Sequence, residues 1–199
     1  MNRRKFIEYS IKTIALASVP VINFFPKVNI SEDEKKLPWS SNTFKFPLEN
    51  FKLQSGETLN NAFLLVNVNG ELNQSKSNAI IFATCFAGSH RFNQMAYGIN
   101  RALNPLKYCI ITPNLFCSGY SSSPSNTSPL QDGPRFPSVT YYDNINAQDK
   151  LISEYFGITN PLMYLGFSMG AQQAFHWGAL HGKKTGGITV SYTHLRCRR

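Results

Sequence analysis

The sequence predicts an α/β domain with a mostly parallel sheet flanked by helices, and three observations carry that expectation. Asn78–Thr84, Tyr108–Thr112 and Leu162–Leu165 are short, continuously apolar runs, the pattern of strands buried on both faces. Helix-period segments lie between and after them. Gly, Pro and Asn cluster where the chain must turn. With 199 residues, 42% of them hydrophobic, the chain can build one domain with a real core.

Taken in order, the first segment reads MNRRKFIEYSIKTIALASVPVINFF. A basic head, an apolar run from Ile11 to about Phe25 broken by Pro20, and small residues around Ala15 and Ala17 are the parts of an export signal. Arg3-Arg4-Lys5-Phe6-Ile7 resembles the twin-arginine type, which exports folded proteins, so a periplasmic or secreted protein is expected. The alternatives are a membrane anchor formed by residues 6–25, although that run is short for a stable span, or a cytoplasmic protein. Residues 1–30 are therefore read as signal or anchor, 31–42 as linker, 43–189 as the domain and 190–199 as a tail.

From Thr43 the chain predicts an antiparallel lead-in. Phe44, Phe46 and Leu48 alternate, Gly56 marks a turn, and Phe63–Val68 forms a second strand ending at Asn69-Gly70, a hairpin signal. After Asn78–Thr84 comes Cys85-Phe86-Ala87-Gly88-Ser89-His90, a small-residue turn that lets backbone approach something closely. A helix is expected from about Gln94 to Leu103, then the Tyr108–Thr112 strand. Pro113–Pro137, rich in Ser, Pro, Asn and Gly, is too long for a plain connection and is expected to overhang a site. Thr140 can cap the next helix with Asp143 as its acidic partner, Ile145, Ile152 and Phe156 share a face, and Gly157 closes it. Asp143, Asp149 and Glu154 are read as capping or solvated groups.

Pro161–Leu180, PLMYLGFSMGAQQAFHWGAL, concentrates the chemistry. An apolar strand leads into Gly166-Phe167-Ser168-Met169-Gly170, a G-x-S-x-G pattern, and an apolar helix face follows through Ala171, Ala174, Phe175 and Gly178. Strand, tight turn and helix make the context of a nucleophile elbow. There the serine is strained, and Gly166 and Gly170 are needed because a Cβ at either would collide with a neighbouring strand or helix. Ser168 is the candidate nucleophile, and Met169 N–H is aimed at the place where an oxyanion would form.

Ser168-Met169-Gly170 with Gln173-Ala174 and Trp177 resembles the homoserine acetyltransferase family of the α/β-hydrolase superfamily. A second block agrees: Ser121–Thr127, Gly133–Pro137, Thr140, Tyr142-Asp143-Asn144, Ala147-Gln148 and Phe156-Gly157-Ile158 resemble the hydrolase-like branch of that family. The resemblance covers roughly Pro38 to Gly187. It implies an α/β-hydrolase fold, truncated after the elbow helix, with the second oxyanion amide on Cys85 or Phe86. It also implies serine-dependent acyl transfer through an acyl-serine intermediate, with acyl-CoA as the implied acyl donor and no bound cofactor. An esterase of the same branch, or a non-catalytic binding protein of the same fold, are the alternatives.

That superfamily supplies the general base and its carboxylate after the nucleophile. After Ser168 this sequence has no Asp and no Glu. His90 precedes the elbow and is read as loop-packing or pocket-lining, His176 and His181 lie along the elbow helix, and His194 is in the tail. From about Val190, VSYTHLRCRR lacks strand alternation, and the sequence is read as the N-terminal half of a larger enzyme with a spurious end, a fragment expected to be inactive by itself.

The net charge of +9 belongs to the ends, in Arg3, Arg4, Lys5, Arg196, Arg198 and Arg199. No basic stripe interleaved with aromatics points to nucleic acid, and no G-x-G-x-x-G follows a strand as a dinucleotide site requires. Cys85, Cys109, Cys117 and Cys197 show no metal-ligand spacing, and a disulfide of Cys117 is left open. The expected partner is a small ester or thioester substrate, a homodimer is left open, and the membrane is met only through the N-terminal segment.

Overall fold

The computed structural model describes residues 37–191. The export-signal reading, the first half of the linker, Cys197 and the tail beyond Ser191 lie outside the described residues. Among the described residues a six-stranded sheet runs in the order β1-β2-β4-β3-β5-β6. The strands are β1 (Ser41–Lys52), β2 (Thr58–Asn69), β3 (Ala79–Ala83), β4 (Cys109–Pro113), β5 (Met163–Phe167) and β6 (Ile188–Ser191). The helices are α1 (His90–Gln94), α2 (Tyr141–Lys150), which runs on through a π-helical turn Leu151–Tyr155, and α3 (Met169–His181).

β1 and β2 form the antiparallel lead-in, with Ser41 opposite Asn69 and Lys52 opposite Thr58. Strand β1 thus begins at Ser41, two residues inside the expected linker. β3 pairs in parallel with β4 and with β5, and β5 with β6, so the rest of the sheet is parallel. Every residue of β3 and β4 is buried, as their unbroken apolar runs require. The core gathers Leu59, Leu64, Ile81, Ile111, Ile145, Leu151 and Trp177, with Trp177 stacked on Tyr164 at 5.1 Å between ring centroids.

Asn69-Gly70 is not a hairpin. β2 pairs with β1 and β4, and β3 lies beyond β4. Gly70 has φ +83°, and a Cβ there would sit 2.3 Å from the carbonyl oxygens of both Pro105 and Tyr108. Its signal reports a close backbone crossing. The helix expected over Gln94–Leu103 is also absent, because α1 spans only His90–Gln94. Gly98 reverses the chain, its N–H donating to Leu103 O at 3.1 Å, while Tyr97 turns inward and its hydroxyl pairs with Thr112 Oγ1 at 2.9 Å. Met95 and Ile99 stay about half exposed.

The long Pro113–Pro137 connection completes the sheet. Where β4 stops beside β2, Ser121 Oγ accepts from Leu65 N–H at 3.0 Å and Ser122 Oγ from Phe63 N–H at 2.9 Å. Ser121, Ser122 and Ser123 are buried, so this serine run substitutes for strand partners that β2 would otherwise lack. Strand β6 continues to Ser191, beyond the expected end at Thr189, with Val190 opposite Gly166.

Thr140 and Asp143 form a capping box on α2. Asp143 is buried rather than solvated, its Oδ2 accepting from Thr140 N–H at 2.8 Å and its Oδ1 from Gln54 N–H at 2.6 Å. Thr140→Ala is expected to cost about 1 kcal/mol. Asp143→Ala should cost more, about 2–4 kcal/mol, since it strands two backbone donors at once. Urea unfolding of both variants checks the order, and an Asp143→Ala penalty no larger than that of Thr140→Ala would overturn it.

Candidate active site

Parallel α/β sheets offer a crevice where the strand order reverses, at the carboxyl ends of the strands. Here the chain passes from β3 to β4 on one side and then to β5 on the other, so the reversal falls between β3 and β5. Ala83, the last residue of β3, is paired with Gly166 near the end of β5. The Cys85–His90 turn and Ser168 therefore leave the same edge of the sheet from adjacent strands.

Ser168 stands between β5 and α3 with φ 53° and ψ −118°, a conformation L-residues adopt only when their surroundings impose it. The surroundings are the two glycines. A Cβ on Gly166 would lie 2.0 Å from Gly170 O, and one on Gly170 would lie 2.8 Å from Ala83 O. The expectation that neither position has room for a side chain thus meets backbone on the helix in one case and on β3 in the other. Ser168 is half-buried, and its hydroxyl has no hydrogen-bond partner among the described residues.

The 13-residue helix α3 starts at Met169. Its first amides have no intrahelical acceptor and carry the positive end of the helix dipole. Gly170 packs against the carbonyls of Ala83 and Thr84, immediately before Cys85, which brings the turn after β3 beside the start of α3. That turn closes with Gly88 N–H on Cys85 O at 3.0 Å, and Ala87 takes φ 53°. Phe86 is 78% exposed at its tip, and neither its N–H nor that of Met169 has an acceptor among the described residues. Burial raises the Cys85 thiol above its ordinary pKa, so it stays a protonated, apolar-like group.

Beneath this edge, two buried side-chain amides hold the end of β3. Asn93 on α1 donates to Phe82 O at 3.0 Å and Ala83 O at 3.2 Å, and Gln173 on α3 donates to Thr84 O at 2.8 Å. Asn93 was not singled out from sequence, and Gln173 entered only through resemblance. A lone Asn or Gln carries no signal until its acceptor is known. On one sheet face an apolar cleft of about 450 Å³ is lined by Phe82, Asn93, Met95, Leu165, Phe167 and Ser191.

None of the described histidines reaches Ser168. His90 is buried, its N–H donates to Asn114 Oδ1 at 3.0 Å, its Nδ1 lies 3.1 Å from Asn114 Nδ2, and Tyr120 packs edge-on at 5.9 Å. Desolvation lowers its pKa. His176 stacks on Tyr141 at 5.1 Å. His181 packs on Trp177 at 4.8 Å, and burial lowers its pKa although Asp149 opposes the shift. His194 lies outside the described residues. Cys85, Cys109 and Cys117 are free thiols, and no cluster of metal ligands occurs among the described residues. None of the described helices is long and apolar enough to cross a membrane.

Residues 78–194 match the family described as the alpha/beta hydrolase fold. An ethyl acetate hydrolase of Pseudomonas veronii is 44% identical over 126 residues, covering 63% of this chain and 36% of that protein. A homoserine O-acetyltransferase of Methanosarcina acetivorans is 33% identical over 172 residues, covering 78% of this chain and 29% of that one. The crystal structure of an acetylester hydrolase from Corynebacterium glutamicum superposes with a TM-score of 0.70 at 34% identity, covering 72% of this chain and 42% of that one. The chain thus spans less than half the length of the relatives it matches.

Proposed function

The chain belongs to the alpha/beta hydrolase fold family, and from that premise we propose that it carries the nucleophile of a serine-dependent acyl-transfer enzyme acting on small esters. The observation that carries this reading is Ser168 at φ 53° between β5 and α3, in a turn where backbone fills the space beside both flanking glycines. Strain of this kind persists where the surroundings over-determine it, and it presents the hydroxyl on the sheet edge with helix amides beside it.

In this reading Ser168 Oγ attacks the ester carbonyl, and the resulting oxyanion accepts from Met169 N–H and from the amide of Phe86 or Cys85. Each such donor is worth about 2.7–4 kcal/mol at the transition state. The tetrahedral intermediate collapses to an acyl-Ser168 ester with loss of the alcohol, and a second nucleophile then releases the acyl group. Residues 37–191 present no histidine and carboxylate to Ser168, so they supply the nucleophile and the oxyanion site but no general base.

Water is the favoured second nucleophile, because the relatives named as an ethyl acetate hydrolase and a probable esterase are 44% and 39% identical. Transfer to an alcohol such as homoserine from acyl-CoA is the second reading, favoured by the longer 172-residue match to an acetyltransferase. The two share the acyl-enzyme and differ in which nucleophile reaches it.

The complete gene product is expected to react with a fluorophosphonate probe at Ser168 and to release nitrophenol from p-nitrophenyl acetate. Ser168→Ala should abolish labelling and lower kcat by about 10⁶-fold. Labelling that survives in Ser168→Ala would overturn the assignment. Acetyl-CoA consumption only when homoserine is added would favour transfer over hydrolysis.

A further inference from the structure

We propose that Gln173 is a positioning residue for acyl transfer at Ser168, acting by fixing the Thr84–Cys85 peptide from which the oxyanion turn starts. The proposal rests on the nucleophile reading above. Gln173 Nε2 donates to Thr84 O at 2.8 Å, and Gln173 Oε1 accepts from Gln148 Nε2 at 2.9 Å. Gln148 Oε1 in turn accepts from the Tyr164 hydroxyl. Gln148, Gln173 and Tyr164 are all 0% exposed. Every donor in the chain points the same way, from β5 through α2 and α3 to one carbonyl at the end of β3.

Net stability does not account for such a chain. Each buried amide gives up water for partners of similar strength, and an apolar residue of equal shape would fill the space at comparable free energy. What a hydrogen bond adds that apolar packing does not is a fixed direction. The peptide unit is planar, with its C=O and N–H on opposite edges. Pinning Thr84 O therefore sets where Cys85 N–H points, and Phe86 N–H follows one pair of dihedrals later.

The anchor also lies on the right element. Gln173 is on α3, whose first turn follows Ser168 directly, so one rigid helix holds both the nucleophile and the clamp on the turn opposite it. The approach of Gly170 to Ala83 O brings the helix and β3 into contact at the same level. From the other helix, Asn93 holds the two preceding carbonyls, of Phe82 and Ala83. Beyond Thr84 the near end of the turn has its internal Cys85–Gly88 bond, the far end is held by His90 N–H on Asn114 Oδ1, and Phe86 between them stands exposed. Without Gln173 the amides of this turn lose their link to the serine.

Three variants of the complete gene product test this against a purely structural role: Gln173→Leu, the isosteric Gln173→Glu, and Tyr164→Phe. Gln173→Leu is expected to lower kcat for p-nitrophenyl acetate by about 10–100-fold with little change in KM, as for a displaced catalytic group. Tyr164→Phe removes a donor at the far end of the chain and leaves the Gln173–Thr84 bond, so it should lower the urea midpoint and lower kcat less than Gln173→Leu does. Gln173→Glu keeps the shape, and its carboxyl can donate to Thr84 O only while protonated. Its kcat relative to the parent should therefore fall as pH rises, a readout that stands even if Gln173→Leu does not fold. A ratio flat at one across the pH range, or a parental kcat in Gln173→Leu, would overturn the proposal. Retention of turnover in Ser168→Ala would instead overturn the nucleophile reading on which it rests.

Discussion

Gly166→Ala is expected to prevent the domain from reaching its folded state. A Cβ at this position would lie 2.0 Å from Gly170 O, 2.1 Å from Gly170 C and 2.5 Å from Ala171 N. All three are backbone atoms at the start of α3, so no rotamer change relieves the contact. The strand cannot yield either, because Gly166 is paired with Ala83 on one side and Val190 on the other. Ordinary overpacking costs about 1–3 kcal/mol, and a clash against fixed backbone exceeds that range within a total stability of about 5–15 kcal/mol. Gly170→Ala should be milder, since its nearest contact is Ala83 O at 2.8 Å. Gly182→Ala is the control, with nothing within 4 Å and a helical φ of −56°. Soluble yield and urea midpoints should rank Gly182→Ala first, Gly170→Ala next and Gly166→Ala last. A Gly166→Ala protein that melts like the parent would mean that β5 and α3 do not meet as described.

The strands were legible because burial on both faces leaves an unbroken apolar run, and β3, β4 and β5 all lie within or beside the runs expected for them. The cap was legible for the same kind of reason, since Thr140 and Asp143 act on each other across three positions. Longer-range geometry was not. Asn69-Gly70 carries the residues of a tight hairpin, yet Gly70 is required by the carbonyls of Pro105 and Tyr108, which approach it from far along the chain. The apolar spacing over Gln94–Leu103 fits a helix until Tyr97 finds Thr112 and Gly98 turns the chain back. Nothing local announces either partner.

The site divides in the same way. G-x-S-x-G between an apolar strand and a helix locates Ser168, because the steric demand that selects the glycines is felt within five positions. The strand order β4-β3-β5 marks the crevice between β3 and β5, and that order becomes known only once the sheet is assembled. The clamp formed by Asn93 and Gln173 was unreadable because its acceptors are backbone carbonyls, which every residue owns. Spacing cannot single out Thr84 O among them.

The 199-residue polypeptide by itself is expected to turn over p-nitrophenyl acetate about 10⁶-fold more slowly than a complete triad enzyme, with no activity that depends on a histidine. A serine hydroxyl at neutral pH is almost wholly un-ionised and needs a base. Enzymes stripped of their triad keep only about 10³–10⁴-fold over water, against roughly 10⁶-fold more with it. After Ser168 the sequence holds no Asp and no Glu, and the described histidines are engaged with Asn114, Tyr141 and Trp177. Among the described residues β6 pairs only with β5, and its exposed edge favours self-association, so rates should be measured on a size-selected monomer. A monomer whose esterase activity disappears in Ser168→Ala would sink this expectation and show that a histidine reaches the serine. The pH profile would then identify it. His90 and His181 both titrate below the ordinary 6.5, and a base works in its neutral form. With either as the base, the acid limb of the profile would lie below that of an ordinary imidazole, so more than half of the full activity would remain at pH 6.5.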